Sequence, residues 1–251
     1  MTIELTILGG VDKNGEREQV DQLELRSGEV VSIVGPTGSG KTTLISDIEQ
    51  LAVGDTPSRR KVLLNGRLQD IRTRTDPRNK LVAQLSQNMH FLADMKVGEF
   101  LEMHARSRGK DRSLVPRVVE AANLLTGEAV SLDCHLTALS GGQSRALMAA
   151  DIAIISDSPI VLIDEIENAG IKKQEGLRML AGSGKIVVVV THDPLLALLA
   201  SRRVVMSGGG MRQVVGRTDR EIQVCSQLAE IDRWLISLRD SIRDGRLVGT
   251  A

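Results

Sequence analysis

The period of the apolar positions changes along the chain. Residues 3–8 alternate apolar and polar side chains, which predicts a strand with one solvated face, and residues 20–25 predict a second strand beyond a polar turn. Residues 61–67 predict another strand, which ends at the turn Asn65-Gly66. Almost continuously apolar runs are typical of strands buried on both faces of a parallel sheet. Three such runs are present, at residues 30–34, 160–163 and 185–190.

Between residues 97 and 155 the apolar positions recur at helical spacing instead. The candidate helices in this part of the chain are residues 97–101, 115–122 and 145–155. We therefore expect a helical subdomain over about residues 88–155. No internal repeat or low-complexity linker interrupts the sequence.

Residues 218–251 follow a third pattern. Their apolar positions are separated by four and three residues in turn, which gives one stripe with the heptad period. The stripe consists of Val224, Leu228, Ile231, Leu235, Leu238 and Ile242. We expect a C-terminal amphipathic helical extension, and its three heptads are marginal for an autonomous coiled coil. Two interpretations stay open: packing onto its own domain, or contact with a second copy or another partner.

The composition is that of a soluble globular protein, with 251 residues, 41% hydrophobic and 25% charged. Thirty-two basic residues balance thirty-two acidic ones, so no overall charge favours nucleic acid or an anionic membrane. The aromatic residues are Phe91, Phe100 and Trp234, too few for a platform that stacks single-stranded nucleic acid. No signal-peptide pattern opens the sequence, and the apolar runs are far shorter than the roughly 20 residues of a membrane helix. We expect a cytoplasmic protein with reduced cysteines.

One short stretch carries a phosphate site. The sequence GPTGSGKTT follows the apolar run at 30–34, leads into a helical pattern and matches G-x-x-x-x-G-K-[ST]. Glycines let backbone N–H groups turn toward phosphate oxygens, and the helix start adds partial positive charge. Lys41 supplies a full charge to the outer phosphates, and the Thr42 hydroxyl is suited to Mg²⁺. The predicted nucleotide-binding residues are Gly35, Pro36, Thr37, Gly38, Ser39, Gly40, Lys41, Thr42 and Thr43.

A pair of carboxylates follows the apolar run at 160–163. The strand delivers Asp164 to a metal shell, and Glu165, one residue further on, is placed to polarise a water molecule. An apolar strand that ends in two acids is a weak signal alone. It gains weight from the glycine loop.

Residues 139–143, with the sequence LSGGQ, precede the end of that strand by about twenty residues. In this position they resemble the signature of the ATP-binding cassette (ABC) ATPases. Ser140 and two glycines at the start of a helix form a second anion-binding terminus. The resemblance implies that Ser140, Gly141, Gly142 and Gln143 serve the γ-phosphate of ATP held by a second protomer. Two sites would then lie head-to-tail between two chains.

Two more residues match positions of this family. Gln87 resembles the glutamine that joins the metal shell; Gln84 competes with it, but Gln87 leaves residues 97–99 where the family opens its helical subdomain. His192 resembles the switch histidine, which would bind the γ-phosphate and hold the attacking water with Glu165. The resemblance thus implies Glu165 and His192 as catalytic residues, and Thr42, Gln87 and Asp164 as metal ligands.

The resemblance extends over residues 1–217 and has gaps. Family members usually stack adenine on an aromatic residue about thirty positions before the lysine, whereas residues 9–14 contain none and leave Val11 as an aliphatic substitute. Ile171 stands where an aspartate usually communicates between protomers, and Ser144-Arg145-Ala146 follow the signature in place of a Gln-Arg stretch. The residues that the resemblance assigns to hydrolysis, Glu165 and His192, still match the family pattern. These departures indicate a divergent branch.

The resemblance implies an α/β fold: a phosphate-loop NTPase core with a mixed, mainly parallel sheet, an N-terminal antiparallel β subdomain and a helical subdomain that carries LSGGQ. It also implies a Mg²⁺-dependent ATPase that works as a homodimer. We expect the ATP-binding subunit of an ABC transporter, which drives a separate membrane permease by ATP-driven dimer closure at the inner face of the membrane. The alternative is a soluble ABC ATPase of protein or metallocluster assembly, which Ile171 and the tail favour. A nucleic-acid-associated member would be expected to carry long coiled-coil or basic insertions, and the sequence has neither.

Overall fold

The computed structural model describes residues 2–76, 80–86, 89–164 and 172–248. In chain order the elements are β1 (Glu4–Leu8), β2 (Gln22–Arg26), β3 (Val30–Val34), α1 (Lys41–Glu49), β4 (Lys61–Leu64), β5 (Arg67–Leu68), α2 (Ile71–Thr75), β6 (Val82–Ser86), α3 (Val97–Ser107), α4 (Leu114–Leu125), α5 (Gly141–Ile154), β7 (Ile160–Asp164), α6 (Lys173–Gly182), β8 (Ile186–Val190), α7 (Pro194–Leu199), β9 (Arg202–Ser207), β10 (Gly210–Gly216) and α8 (Asp219–Arg243). The predicted strands are among them, as are the helices predicted at residues 97–101, 115–122 and 145–155, with ends that differ by up to six residues. Helix α8 covers residues 219–243 of the expected C-terminal extension, whose bounds stay a prediction.

The first sheet is antiparallel and has the strand order β2-β1-β4-β5. Its last hairpin turns at Asn65 and Gly66, which have φ angles of 51° and 73°. Asparagine and glycine tolerate these left-handed angles, so the Asn-Gly pair closes the hairpin as the sequence predicts. This sheet confirms the expected N-terminal antiparallel β subdomain.

The second sheet has the strand order β10-β9-β3-β8-β7-β6. The five strands from β9 to β6 pair in parallel, and only β10 is antiparallel to its neighbour in the described sheet. The carboxyl ends of β3, β6, β7 and β8 therefore lie along one edge. This mixed, mainly parallel sheet confirms the predicted fold class, and its edge is where ligands bind in open α/β sheets.

Helices and the first sheet cover the two faces of the parallel sheet. Val161 and Ile163 of β7 pack into a cluster with α3, α4 and α5, whereas Ile160 and Leu162 pack into a second cluster with α1 and the antiparallel sheet. Successive side chains of a strand point to opposite faces, so a strand covered on both faces must be apolar throughout. This explains the uninterrupted apolar runs.

The C-terminal helix α8 is attached mainly through its first turns. Helix α8 packs against α7 and buries Cys225, and the guanidinium of Arg203 on β9 lies 2.6 Å from a carboxylate oxygen of Glu221. A 25-residue helix is about 37 Å long, whereas the six-residue α7 beneath it spans about 9 Å. Most of the apolar stripe consequently stays at the surface: Val224, Ile231, Leu235 and Ile242 are exposed, and Leu228 and Leu238 are half-buried. The domain boundaries at residues 88, 155 and 217 stay predictions.

Candidate functional site

The glycine loop lies between β3, near the centre of the parallel sheet, and α1. Gly35, Gly38 and Gly40 have φ angles of 154°, 75° and 97°, a region that L side chains rarely adopt. Gly40 is the N-cap of α1, and no side chain of the described residues caps this helix. The N–H groups of its first turn therefore face outward as an anion-binding terminus.

Two side chains of the loop fit a phosphate ligand. The Lys41 ammonium is buried and donates hydrogen bonds to the carbonyl oxygens of Gly35 and Pro36, over 2.7 and 3.0 Å. Ser39 is 3% exposed, and its Oγ atom has no hydrogen-bond partner within the described part of the chain. A buried hydroxyl without a partner is costly, and a bound phosphate oxygen would satisfy it. The loop thus fits a nucleotide triphosphate.

Two of the other predicted site residues lie at the same sheet edge. Asp164 is the last residue of β7 and pairs in register with Val190, the last residue of β8. The Thr191 N–H then donates a hydrogen bond to the carbonyl oxygen of Ile33 on β3. The next residue, His192, is exposed. Because β8 lies between β3 and β7, the glycine loop, Asp164 and His192 share one edge of adjacent strands.

The predicted residues Gln87 and Glu165, and with them Ile171, fall outside the described residues. Their neighbours in sequence are described. Ser86 at the end of β6 pairs in register with Asp164 at the end of β7. The competing Gln84 lies within β6, opposite Leu162, rather than at the end of the strand.

An ion pair that sequence reasoning missed holds the segment with His192. Lys173 Nζ lies 2.7 Å from Asp193 Oδ2, and both side chains are about 15% exposed. Asp193 also accepts a hydrogen bond from the Leu195 N–H, over 2.8 Å, and thereby caps α7. The Asp-Pro pair at 193–194 is a readable helix start, but nothing in the sequence points to Lys173 as its partner.

The signature residues are held by a capping box at the start of α5. Ser140 Oγ accepts from the Gln143 N–H over 3.3 Å, and Gln143 Oε1 accepts from the Ser140 N–H over 2.9 Å. The amide nitrogen of the same side chain, Gln143 Nε2, donates a hydrogen bond to the carbonyl oxygen of Ala129. Ser140 is exposed. Helix α5 packs in a different hydrophobic cluster from α1, so signature and glycine loop belong to separate parts of the fold.

A cleft of about 330 Å³ opens beside the glycine loop. It is lined by Val11, Asp12, Lys13, Gly38, Gly40, Thr43, Pro57, Ser58 and Gly209. Val11 therefore lies beside the loop, where the sequence predicts the nucleotide base. None of the three aromatic residues of the chain lines this cleft: Phe91 and Phe100 contact each other, and Trp234 is exposed on α8.

A buried ionic cluster beneath this cleft also escaped sequence reasoning. The Arg60 guanidinium lies 2.6 Å from Glu18 and 2.8 Å from Asp47, and these side chains are at most 1% exposed. Burial alone would lower the pKa of Arg60, but hydrogen bonds and charges from Glu18 and Asp47 outweigh it and raise that pKa. Arg60 also donates to the carbonyl oxygen of Gly209. The cluster ties α1 to the turn between β9 and β10.

Comparison with known proteins identifies the family. The sequence model of the ABC transporter family matches residues 19–168, more than half of the chain. The chain belongs to this family. An uncharacterized ABC transporter ATP-binding protein of Methanocaldococcus jannaschii is 59% identical over 243 residues, which cover 96% of this chain and 93% of that protein. Among ABC proteins, this similarity supports an ATP-binding subunit with the ATPase chemistry of the family.

More distant relatives extend the comparison. A macrolide export ATP-binding/permease protein of Yersinia pestis is 34% identical over 74% of this chain, which spans 28% of that protein. An ATP-binding cassette of an ABC transporter in its ADP conformation superposes with a TM-score of 0.63 at 22% identity, covering 94% of this chain and 99% of the other. The protein cbiO1 of Clostridium perfringens, part of an ABC transporter complex, gives a TM-score of 0.63 at 19% identity, over 92% and 98% of the chains. The two structures show the cassette fold. The 59% identity with an ABC transporter ATP-binding protein does not favour the assembly alternative.

In residues 2–76, 80–86, 89–164 and 172–248, no helix is both long and apolar enough to span a bilayer.

Proposed function

We propose that this chain is the ATP-hydrolysing subunit of an ABC transporter and acts on a separate membrane permease. The observation that carries the proposal is the common edge of β3, β8 and β7, where the glycine loop with Lys41, the strand end Asp164 and His192 come together. Phosphoryl transfer requires a cationic cradle, a metal ligand and a group that positions water, and these residues supply all three kinds.

The residues divide into binding and catalytic roles. Residues 35–43 hold the triphosphate, and Thr42, Gln87 and Asp164 would hold Mg²⁺, directly or through water. When bound, Mg²⁺ supplies neutralising charge at the phosphate oxygens. Glu165 accepts a proton from the attacking water, and His192 positions that water against the γ-phosphate.

The active form is a homodimer with composite sites. Helix α5 begins at Gly141, its N-cap residue Ser140 is exposed, and it packs in a cluster apart from α1. Its N-terminus is therefore available to a phosphate held by another copy. Binding of ATP at both interfaces closes the dimer, and hydrolysis reopens it.

The permease is expected to contact the segment that leads into α3. Phe91 and Met95 pack against the hydrophobic cluster of the helices, as core residues would, but Leu92 between them is 96% exposed. Phe91 contacts Phe100 of α3 edge-to-face at 5.1 Å, which holds Leu92 beside that helix. Contact with a partner would remove the apolar surface of Leu92 from water, and this burial would stabilise the contact. Through this contact the chain would act at the inner face of the membrane.

The test is affinity purification of the full chain from its native host, followed by mass spectrometry. We expect a multi-span membrane protein to co-purify with the wild type and with Leu124→Asp, a matched change at an exposed leucine of α4. Leu92→Asp should lose that protein. Recovery of a soluble assembly factor in place of a membrane protein would contradict the transport role and support the assembly alternative.

A further inference from the structure

A lysine from outside the glycine loop lies on that loop. Lys13 Nζ donates a hydrogen bond to the carbonyl oxygen of Gly38 over 3.0 Å. Its backbone N–H donates to the carbonyl oxygen of Gly208 over 3.1 Å, and a Cβ atom added to Gly209 would fall 2.7 Å from Lys13 Cγ. The stem of Lys13 is thus confined by the turn between β9 and β10, and its charged end rests on the phosphate loop.

The segment that carries Lys13 is anchored on both sides. The Oδ1 atom of Asp12 accepts hydrogen bonds from two backbone N–H groups of the same turn, over 2.8 and 3.0 Å. The Gly10 N–H donates to Glu18 Oε2 over 2.8 Å, and Glu18 is part of the buried cluster around Arg60. The folded structure therefore fixes where Lys13 leaves the backbone.

The neighbouring cleft offers little to a nucleotide base. Its apolar side chains are the aliphatic Val11 and Pro57, and none of its lining residues is aromatic. Stacking of a base on an aromatic ring contributes about 1–3 kcal/mol. With aliphatic contacts alone, the base adds less affinity, and the phosphate part of the nucleotide must carry more of it.

We propose that Lys13 is a second cationic contact for the phosphates of the nucleotide, and that recognition here depends on the phosphates more than on the base. This inference rests on the proposed function, because it assumes a triphosphate on residues 35–43. A phosphate that accepts N–H groups of the loop lies within reach of an ammonium already on that loop. On binding, Lys13 exchanges the neutral carbonyl of Gly38 for a charged acceptor, which makes a stronger hydrogen bond. Its charge acts alike on ATP, GTP and CTP.

The test is isothermal titration calorimetry of the full chain with ATP, GTP, CTP and inorganic tripolyphosphate, in EDTA so that hydrolysis does not interfere. The wild type should bind the three nucleotides with Kd values within about fivefold of one another. Lys13→Met should raise all four Kd values by about five- to thirty-fold, the net loss expected when a charge-assisted hydrogen bond to phosphate has replaced a neutral one to a carbonyl oxygen. Lys13→Arg should restore binding, and Lys61→Met, an equal charge change at an exposed lysine of β4, should leave it unchanged.

An ATP affinity in Lys13→Met within about fivefold of the wild type would overturn the role of Lys13. A wild-type preference for ATP over GTP beyond about fivefold would overturn the inference that recognition depends on the phosphates more than on the base. Equal unfolding midpoints of the variants show that the fold is intact. Lys41→Ala separates the two proposals. If the wild type binds none of the nucleotides, or Lys41→Ala binds them as the wild type does, the proposed function itself fails. If binding is lost in Lys41→Ala and unchanged in Lys13→Met, only the role of Lys13 is contradicted.

Discussion

At the scale of single residues, the cluster of Glu18, Arg60 and Asp47 links the phosphate loop to its surroundings. Asp47 belongs to α1, which begins at Lys41, and Glu18 closes the segment that carries Lys13. Charges that are fully buried persist only when they are paired and hydrogen-bonded. Here every partner lies on a different segment, so the pairing fixes those segments against one another.

The cluster gives a first prediction about stability. Arg60→Ala leaves two carboxylates buried without their cation, and it should lower the free energy of unfolding by about 3–5 kcal/mol. Arg17→Ala is the matched control, because the Arg17 side chain is 85% exposed and lies 4.0 Å from Asp21. The control should stay within about 0.5 kcal/mol of the wild type in urea denaturation. A loss below about 1 kcal/mol in Arg60→Ala would show that the cluster does not hold the fold.

Single residues also show where sequence reasoning ends. Gly35, Gly38 and Gly40 are predictable, because a phosphate cradle needs backbone angles that only glycine adopts readily. Arg60 is not, since 42 positions separate it from Glu18 and no local pattern joins them. The same holds for Lys173 and Asp193, and for the contact of Lys13 with Gly38. Pairs of this kind depend on tertiary packing, which one sequence does not display.

At the scale of elements, the predictable strands are those whose apolar period is unambiguous. β3, β7 and β8 are buried on both faces and read as continuous runs. By contrast, β9 begins with two half-buried arginines, and β10 carries an exposed arginine and an exposed glutamine, so the apolar pattern of both strands is mixed. Helix α5 begins at Gly141, four residues before the predicted start, because the Ser140–Gln143 capping box starts the helix within a glycine pair. Glycine has a low helix propensity, but the hydrogen bonds of the capping box stabilise the first turn and outweigh that propensity.

The connection from α5 to β7 depends on a buried lysine before β8. Lys185 Nζ donates to the carbonyl oxygens of Ser156 and Ser158, over 2.9 and 2.8 Å. Burial lowers the pKa of Lys185 from 10.5 to about 8, and the nearby charge of Lys110 adds to the effect. The unfolded chain therefore holds this proton more tightly than the folded chain. Lys185 penalises the folded state below pH 8, and the penalty is relieved as the pH rises from 8 toward 10.5.

The lowered pKa of Lys185 predicts how the free energy of unfolding changes with pH. Between pH 7 and pH 10, the unfolding free energy of the wild type should rise relative to that of Lys185→Met by about 2 kcal/mol. Comparison with the variant cancels the other titrating groups. Lys61→Met, which removes an exposed lysine, should run parallel to the wild type. A difference between wild type and Lys185→Met that stays constant, or that falls with pH, would contradict a lowered pKa at Lys185.

At the scale of the whole molecule, the two parts of the proposed ATP site lie in different layers of the fold. The glycine loop and Asp164 belong to the parallel sheet, and the signature belongs to the helical layer that packs through α3, α4 and α5. One chain keeps the glycine loop and the signature apart. If two copies associate head-to-tail, the glycine loop of each copy can face the signature of the other. The balanced formal charge, with 32 basic and 32 acidic residues, creates no net repulsion between two such copies.

In the proposed mechanism, two copies of the chain close on ATP, and Glu165 activates the attacking water. The most direct test is Glu165→Gln with Mg-ATP, measured by light scattering after size exclusion, with phosphate release measured in parallel. We expect a particle of twice the 27.2 kDa chain mass and a hydrolysis rate lowered by at least about a hundredfold. Glu167→Gln, two residues further on, should hydrolyse ATP as the wild type does. A Glu165→Gln chain that keeps the mass of one protomer and hydrolyses within about twofold of the wild-type rate would contradict the account.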